Sequence, residues 1–266
     1  MKLNIGLLLL SSFIPTLVWG ANPAADINLL TGTATATTPA AEIRDLKKGD
    51  TVFPQEVLST GPNSYLNLRY SDGSFTLIRP NSRLQIESYA FKADKEQETD
   101  AKNKAAPTDK KTTASKIVVT KTGRASSESK ATFRLLKGGL RAVTGLIGKL
   151  NRDQYSLKTP VATIGIRGTD YTAVICDKAC AADPVIRSEL TDARVAEGGL
   201  IAGVFDGSIT VDSDGRNCDK PEETGICVLG SGQFLVVTKD GDQIRLSQAP
   251  RFLVVDATPN PLTCAP

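Results

Sequence analysis

The 266-residue sequence contains no histidine, a single methionine and a single tryptophan, Trp19. Histidine is the commonest general base and the commonest neutral metal ligand, so its absence removes His-dependent triads and His-bound metal centres. Ser–Lys pairs and paired carboxylates could still do chemistry. However, there is no GxSxG and no phosphate-cradling GxxxxGK[ST], and no Asp/Glu pair stands apart from surface charge. The expectation is a protein that is not an enzyme and uses no cofactor and no metal. Aromatics are scarce as well, at 5%. A carbohydrate-binding surface usually presents several of them, which makes a cell-wall or polysaccharide-binding module the weaker alternative. No charge sign dominates: 32 basic residues face 29 acidic ones, a balance unlike that of a nucleic-acid binder.

Long apolar runs are missing too. Ile5 to Trp19 is too short to span a bilayer and is broken by Ser11, Ser12 and Pro15. Lys2 precedes it, and Val18 and Gly20 place small residues before a cleavage after Gly20. This is the pattern of a cleavable signal peptide over residues 1–20, with no cysteine after it to carry a lipid. The mature protein is expected in the periplasm, with secretion as the other possibility, and not as a membrane-spanning protein.

Cysteine is absent until Cys176 and then occurs five times, at Cys176, Cys180, Cys218, Cys227 and Cys264. In an exported chain these read as disulfides with one left over, and sequence does not settle the connectivity. Local pairing is preferred. Cys218 and Cys227 flank the turn-rich "DKPEETGI", and Cys176 with Cys180 would staple a loop. The CxxxC spacing and the oxidising compartment count against zinc.

Abundant Val, Ile and Thr with little helical periodicity indicate an all-β protein of short stacked strands, solenoid-like or sandwich. Residues 21–42 read as a partly flexible N-terminal segment, with an opening strand within Ile27 to Thr37. A β domain follows over 43–250. Leu66, Leu68 and Tyr70 alternate with Asn67 and Arg69 before Asp72-Gly73, a hairpin signal that Asp206-Gly207 and Asp240-Gly241 repeat. Residues 92–130 are charged, poor in aromatics and without a core face. They read as a mobile, solvated insertion, with a basic patch for an anionic polymer or lipid surface as the other reading. Residues 176–200 read as an excursion with one short helix around 185–196, and 251–266 as a Pro-rich tail.

The most unusual stretch is "TPVATIGIRGTDY", residues 159–171. A strand runs into Gly165, and another starts after Gly168. Ala162, Ile164 and Ile166 fall on one face; Val161, Thr163 and Arg167 fall on the other with Gly165. Glycines here imply a bend or a bulge that carries the chain between layers. Arg167 then has three roles open to it. It could hold backbone carbonyls or an acid such as Asp170, dock a partner or an anionic ligand, or act in catalysis; the first is preferred.

The same stretch resembles the signature of the FecR domain family, in Thr159, Pro160, Thr163, Gly165, Arg167, Gly168 and Thr169. "LKKGDTVFPQEVLSTGPNSYLNLRYSDGSFTLIRPNSRLQI" is similar to the family's first half. "FRLLKGGLRAVTG" resembles the stretch before the signature, and "FDGSITV" and "LGSGQFLVV" resemble its closing strands. Together they cover roughly residues 43–246. The resemblance implies a periplasmic β domain, of the kind that receives a signal from an outer-membrane transporter and controls a sigma factor. With a cleavable signal and no membrane helix, this chain would be a stand-alone exported member. Its implied role is binding or scaffolding in envelope signalling or assembly, through a protein partner whose identity the sequence does not name. N-terminal sequencing of the exported protein should find a chain starting near Ala21, after loss of about 20 residues; an intact Met1 would refute the signal peptide.

Overall fold

The computed structural model describes residues 22–93, 126–190, 192, 196–220 and 222–255. The expected signal peptide, residues 94–125 of the insertion, residues 256–266 of the tail and Cys264 lie outside them. The fold is an all-β sandwich of two nine-stranded sheets. In spatial order the first sheet holds β18 (Gln243–Leu246), β17 (Phe234–Val237), β14 (Leu200–Asp206), β13 (Asp170–Ile175), β10 (Gly139–Val143), β7 (Phe75–Ile78), β6 (Tyr65–Tyr70), β1 (Ala25–Thr31) and β4 (Thr51–Val52). The second holds β16 (Thr224–Gly230), β15 (Ser208–Arg216), β12 (Thr163–Ile166), β11 (Tyr155–Lys158), β9 (Lys130–Lys137), β8 (Arg83–Ala90), β5 (Val57–Thr60), β2 (Ala34–Thr37) and β3 (Ile43–Asp45).

The chain changes sheet after every one or two strands. Each passage contains a residue with positive φ, except β10 to β11, which runs through the short helix α1 (Leu146–Leu150). Gly32, Gly138, Gly168, Gly207 and Gly232 serve five of these corners, and Asn63 and Asn81 serve two more. Left-handed backbone costs an ordinary L-residue about 1–2 kcal/mol, and Gly and Asn are the usual occupants. Hydroxyls stitch neighbouring corners together. Ser64 Oγ accepts from Thr33 N at 2.9 Å, Ser82 Oγ from Gly139 N at 2.8 Å, and Thr144 Oγ1 from Thr169 N at 2.7 Å. Pro-Asn-Ser recurs at 62–64 and 80–82 for this reason, a repeat that strand rhythm alone does not bring out.

Strand registers show where the corners lie. Thr31 pairs with Tyr65, and Ile78 pairs with both Leu66 and Leu140, so the corners at 32, 63, 81 and 138 share one end of the sandwich. Val143 pairs with Asp170, and Asp170 with Asp206, so the corners at 168 and 207 lie at the opposite end. β10 carries the chain from one end to the other. As a result β9 and β11 are parallel, whereas all the other neighbouring strands are antiparallel.

Tyrosines concentrate between the sheets. Tyr70, Tyr89, Phe133 and Tyr155 form a chain of ring contacts with centroids 5.2–5.7 Å apart, and the Tyr155 and Tyr171 hydroxyls are 2.8 Å apart. The buried Asp72 carboxylate accepts from Ser74 N, from Tyr89 Oη at 3.2 Å and from Ile147 N at 3.3 Å. It ties the β6–β7 turn to β8 and to α1. A second hydrophobic core lies on the outer face of the first sheet. It gathers Val174, Ile201, Phe234 and Val236 with Cys176, Cys180, Ile186 and Leu190. These last four come from the 176–200 excursion.

Several sequence expectations change. The opening strand expected within Ile27 to Thr37 is two strands, and residues 22–42 are tied into both sheets: β1 pairs with both β6 and β4, and β2 with both β3 and β5. Small residues conceal this, because Ala34 and Ala36 bury as little area as any β-face can. Asp206-Gly207 is no hairpin but a corner between sheets, whereas Asp72-Gly73 and Asp240-Gly241 do close hairpins. The insertion is narrower than 92–130. Lys130 pairs with Ala90 in the sheet, and Lys92 N donates to Ser129 Oγ at 3.0 Å. The excursion holds two short helices, α2 (Lys178–Ala181) and α3 (Pro184–Glu189), begun by Asp177 and Asp183 caps rather than by apolar spacing. Residues Arg251–Val255 of the tail form α4, whose Phe252 packs on the second core.

Two predictions follow from the corners and the tyrosines. A Cβ on Gly168 would have only Lys149 Cγ near it, at 3.5 Å, so Gly168→Ala should cost about 1 kcal/mol from positive φ alone. On Gly207 it would sit 2.2 Å from the Gly168 carbonyl oxygen, so Gly207→Ala should cost about 3 kcal/mol or more in urea unfolding. Burial pushes the phenols of Tyr70, Tyr89, Tyr155 and Tyr171 far above their ordinary value. A raised folded pKa gives stability that is whole below the unfolded value, about 10, and lost above it, at up to about 1.4 kcal/mol per pH unit for each phenol. With no histidine to titrate, the denaturation midpoint should stay level from about pH 5 to 8. It should fall above pH ~10, with phenolate absorbance appearing as the protein unfolds.

Candidate functional site

The FecR-like stretch occupies a turn, a strand and a corner in succession. Thr159 and Pro160 start the β11–β12 turn, in which Thr159 N donates to Ala162 O at 2.9 Å and Thr159 Oγ1 accepts from Ala162 N. Ile164 and Ile166 point into the core; Thr163 is exposed on the outer face of the second sheet. The corner then closes on β15. Arg167 N donates to Ser208 O at 2.9 Å, and Thr169 Oγ1 donates to the same oxygen at 2.6 Å. Gly168 supplies the left-handed turn at φ 63°.

Arg167 departs from the preferred expectation. Its side chain is exposed, and among the described residues its guanidinium makes no hydrogen bond or ion pair. Asp170, the acid expected to hold it, belongs to Arg141, which grips both carboxylate oxygens at 2.9 and 2.8 Å. Arg141 also lies over the Phe205 ring, 4.2 Å from its centroid, at a bulge where β14 passes Asp170 and Tyr171. Asp170 lies in the first sheet and Arg167 on the outer side of the second. Adjacency in sequence therefore does not bring them together.

Gly165 shapes the surface beside Arg167. A Cβ there would lie 2.6 Å from Thr210 Oγ1, so glycine keeps this part of the sheet face low beside Thr210. It forms the floor of a cleft of about 770 Å3, bordered by Leu150, Arg152, Arg167, Thr210 and Ile226. Leu150 is 52% exposed and Ile226 57%. Lys149, Arg152 and Arg167 line this cleft without an ion pair among the described residues, as do Asp153 and Asp212. A smaller cleft of about 350 Å3 lies at the Thr159–Thr163 turn, against Asp212, Asp214 and Asp240. Sequence reasoning missed Lys149, Leu150, Arg152 and Ile226. The readable signal was in β16, where Ile226 and Val228 alternate with Cys227 and Leu229 on a strand with two apolar faces.

β16 is an edge strand of the second sheet. Its free carbonyls are covered by side chains: Asn217 Nδ2 donates to Ile226 O at 2.8 Å, and Arg245 Nη2 to Val228 O at 2.9 Å. Arg245 is held in turn by Asp219, whose carboxyl lies below the usual range because of that guanidinium. Cys218, between Asn217 and Asp219, is disulfide-bonded to Cys227 and anchors this cover; Cys176 is bonded to Cys180. Asp219 lies beside the first pair, but sulfurs bonded to each other offer no thiolate to a metal. Among the described residues no helix is long and apolar enough to cross a membrane.

No family model and no curated protein matches the sequence. Two crystal structures of a "putative anti-sigma factor" from Parabacteroides distasonis are similar at 10% identity and a TM-score of 0.40. They cover 74% of this chain, which spans 62% of theirs. A "cell surface anchoring domain" is 28% identical over 24% of this chain and 83% of its own, with a TM-score of 0.23.

The two arginines should separate in a stability assay. Arg167→Ala should change unfolding free energy by no more than about 0.5 kcal/mol, as an exposed, unpaired side chain does. Arg141→Ala leaves the Asp170 carboxylate without its partner and should cost about 1–3 kcal/mol. Urea unfolding of both variants measures the difference.

Proposed function

We propose that the protein is a non-catalytic, FecR-like binding module of the periplasm, acting in envelope signalling or assembly through protein–protein contacts. One observation carries this reading. The fold accounts for the turn, the corner and the buried face of the FecR-like stretch, yet it leaves the Arg167 guanidinium unused at the rim of a cleft. A charged side chain with no internal partner, beside exposed Leu150 and Ile226, suits a contact with something outside the chain. The two disulfides suit an oxidising compartment. Tyr70, Tyr89, Tyr155 and Tyr171 are buried, which disfavours a polysaccharide-binding face built on stacked rings.

The test is a photo-crosslinking residue in place of Thr163, in intact cells, with and without Arg167→Glu. The expected result is a discrete protein adduct that Arg167→Glu abolishes while leaving the amount of folded protein unchanged. Co-sedimentation with purified sacculi and no protein adduct would overturn the reading in favour of the cell-wall alternative.

A further inference from the structure

We infer that the cleft over Gly165 takes an extended segment of a protein partner in which carboxylates stand beside aliphatic side chains. This names the partner chemistry of the docking site and rests on that reading.

The two outer faces of the sandwich differ. That of the first sheet is covered over much of its area by the second core. On that of the second sheet, Ile226 and Val228 remain 57% and 50% exposed and Leu150 stands above β12 at 52%. Leu150 and Ile226 border the cleft at Gly165, where an aliphatic side chain of a partner would bury apolar area that this chain leaves in water.

Charge on this face is unevenly used. Lys158 and Arg134 are both bound to Glu87, at 2.8 and 2.5 Å, and add no free positive charge. Lys149, Arg152 and Arg167 have no ion pair among the described residues, and they cluster where α1 and the β12 corner meet. Asp153 offsets one of them. The cleft's other unpaired acid, Asp212, lies at its far end, opposite Thr163 and Ile226. The cleft is therefore basic toward Arg167 and acidic toward Asp212. A segment with its carboxylates over Arg167 and its aliphatic residue over Gly165 satisfies both features, and guanidinium–carboxylate pairs are the stronger kind of hydrogen bond.

The same geometry argues against two other modes. Addition of a strand to β16 is opposed by Asn217 and Arg245, which occupy its outward carbonyls. Single-stranded nucleic acid needs exposed stacking rings, and the one ring that lines this cleft, Tyr155, is buried between the sheets.

The experiment titrates the isotopically labelled mature protein with an eight-residue peptide alternating Glu and Val, and separately with its Gln–Val counterpart and with polygalacturonate. The Glu–Val peptide should shift the amides of Gly165, Arg167 and Ile226. Its affinity should fall by about tenfold or more with Gln for Glu, with Arg167→Glu, or at about 0.5 M salt, where the Debye length is only a few ångströms. Gly165→Val should weaken it by filling the floor. Should that variant fail to fold, Ile226→Ser tests the same wall. Equal binding of the Gln–Val peptide, shifts confined to other faces, or shifts from polygalacturonate alone would overturn the inference. If the Thr163 crosslink still captures a protein in cells under any of those outcomes, the docking reading survives and only the acidic–aliphatic chemistry falls. If no protein is captured either, both fall.

Discussion

The chain cannot stay in one sheet for more than a hairpin, and that constraint organises the rest. Each direct passage between sheets must reverse direction within a few residues, and the backbone does so through a residue with positive φ. Such a corner exposes amides and carbonyls that neighbouring strands cannot reach, so an adjacent Ser or Thr hydroxyl, or the carbonyl of the next corner, takes them up. The corners thereby become load paths along the two ends of the sandwich. "GIRGT" is one of them: Gly168 turns, Thr169 ties the turn to Ser208, and Gly207 must stay bare because Gly168 O fills the place of its side chain.

Because the corners take the backbone, the side chains divide into two populations. Those pointing between the sheets are mostly apolar or are tyrosines, of which Tyr155 and Tyr171 bond each other and Tyr89 bonds Asp72. Those pointing outward from the second sheet stay in water, and most charged ones near its centre are paired off, as Glu87 shows with Lys158 and Arg134. Against that background the unpaired Arg167, Arg152 and Lys149 stand out, since pairing was available to other arginines of the same face.

The disulfides act on the periphery rather than the core junction. Cys176–Cys180 closes the first loop of the excursion under the second core, and Cys218–Cys227 fastens the loop that covers the β16 edge. An uncovered edge strand bearing Ile226 and Val228 would invite strand pairing, so the cover has a protective role as well as a stabilising one.

Much was legible in the sequence by itself. Period-two alternation at Leu66, Leu68 and Tyr70, the turn residues at Asp72-Gly73, and the split faces of Ile164, Ile166 and Arg167 all depend on neighbours in the chain, and local chemistry is enough to read them. The short Cys176–Cys180 and Cys218–Cys227 spacings belong to the same class. Tertiary structure alone decided the rest. Asp206-Gly207 and Asp72-Gly73 look alike in sequence, but only pairing across sheets makes one a corner and the other a hairpin. Asp170 is three residues from Arg167, yet the corner sends it to the other sheet, where Arg141 was waiting. The cleft joins Leu150, Gly165 and Ile226 from segments far apart in the chain, and no periodicity within one strand records which strand will lie beside it.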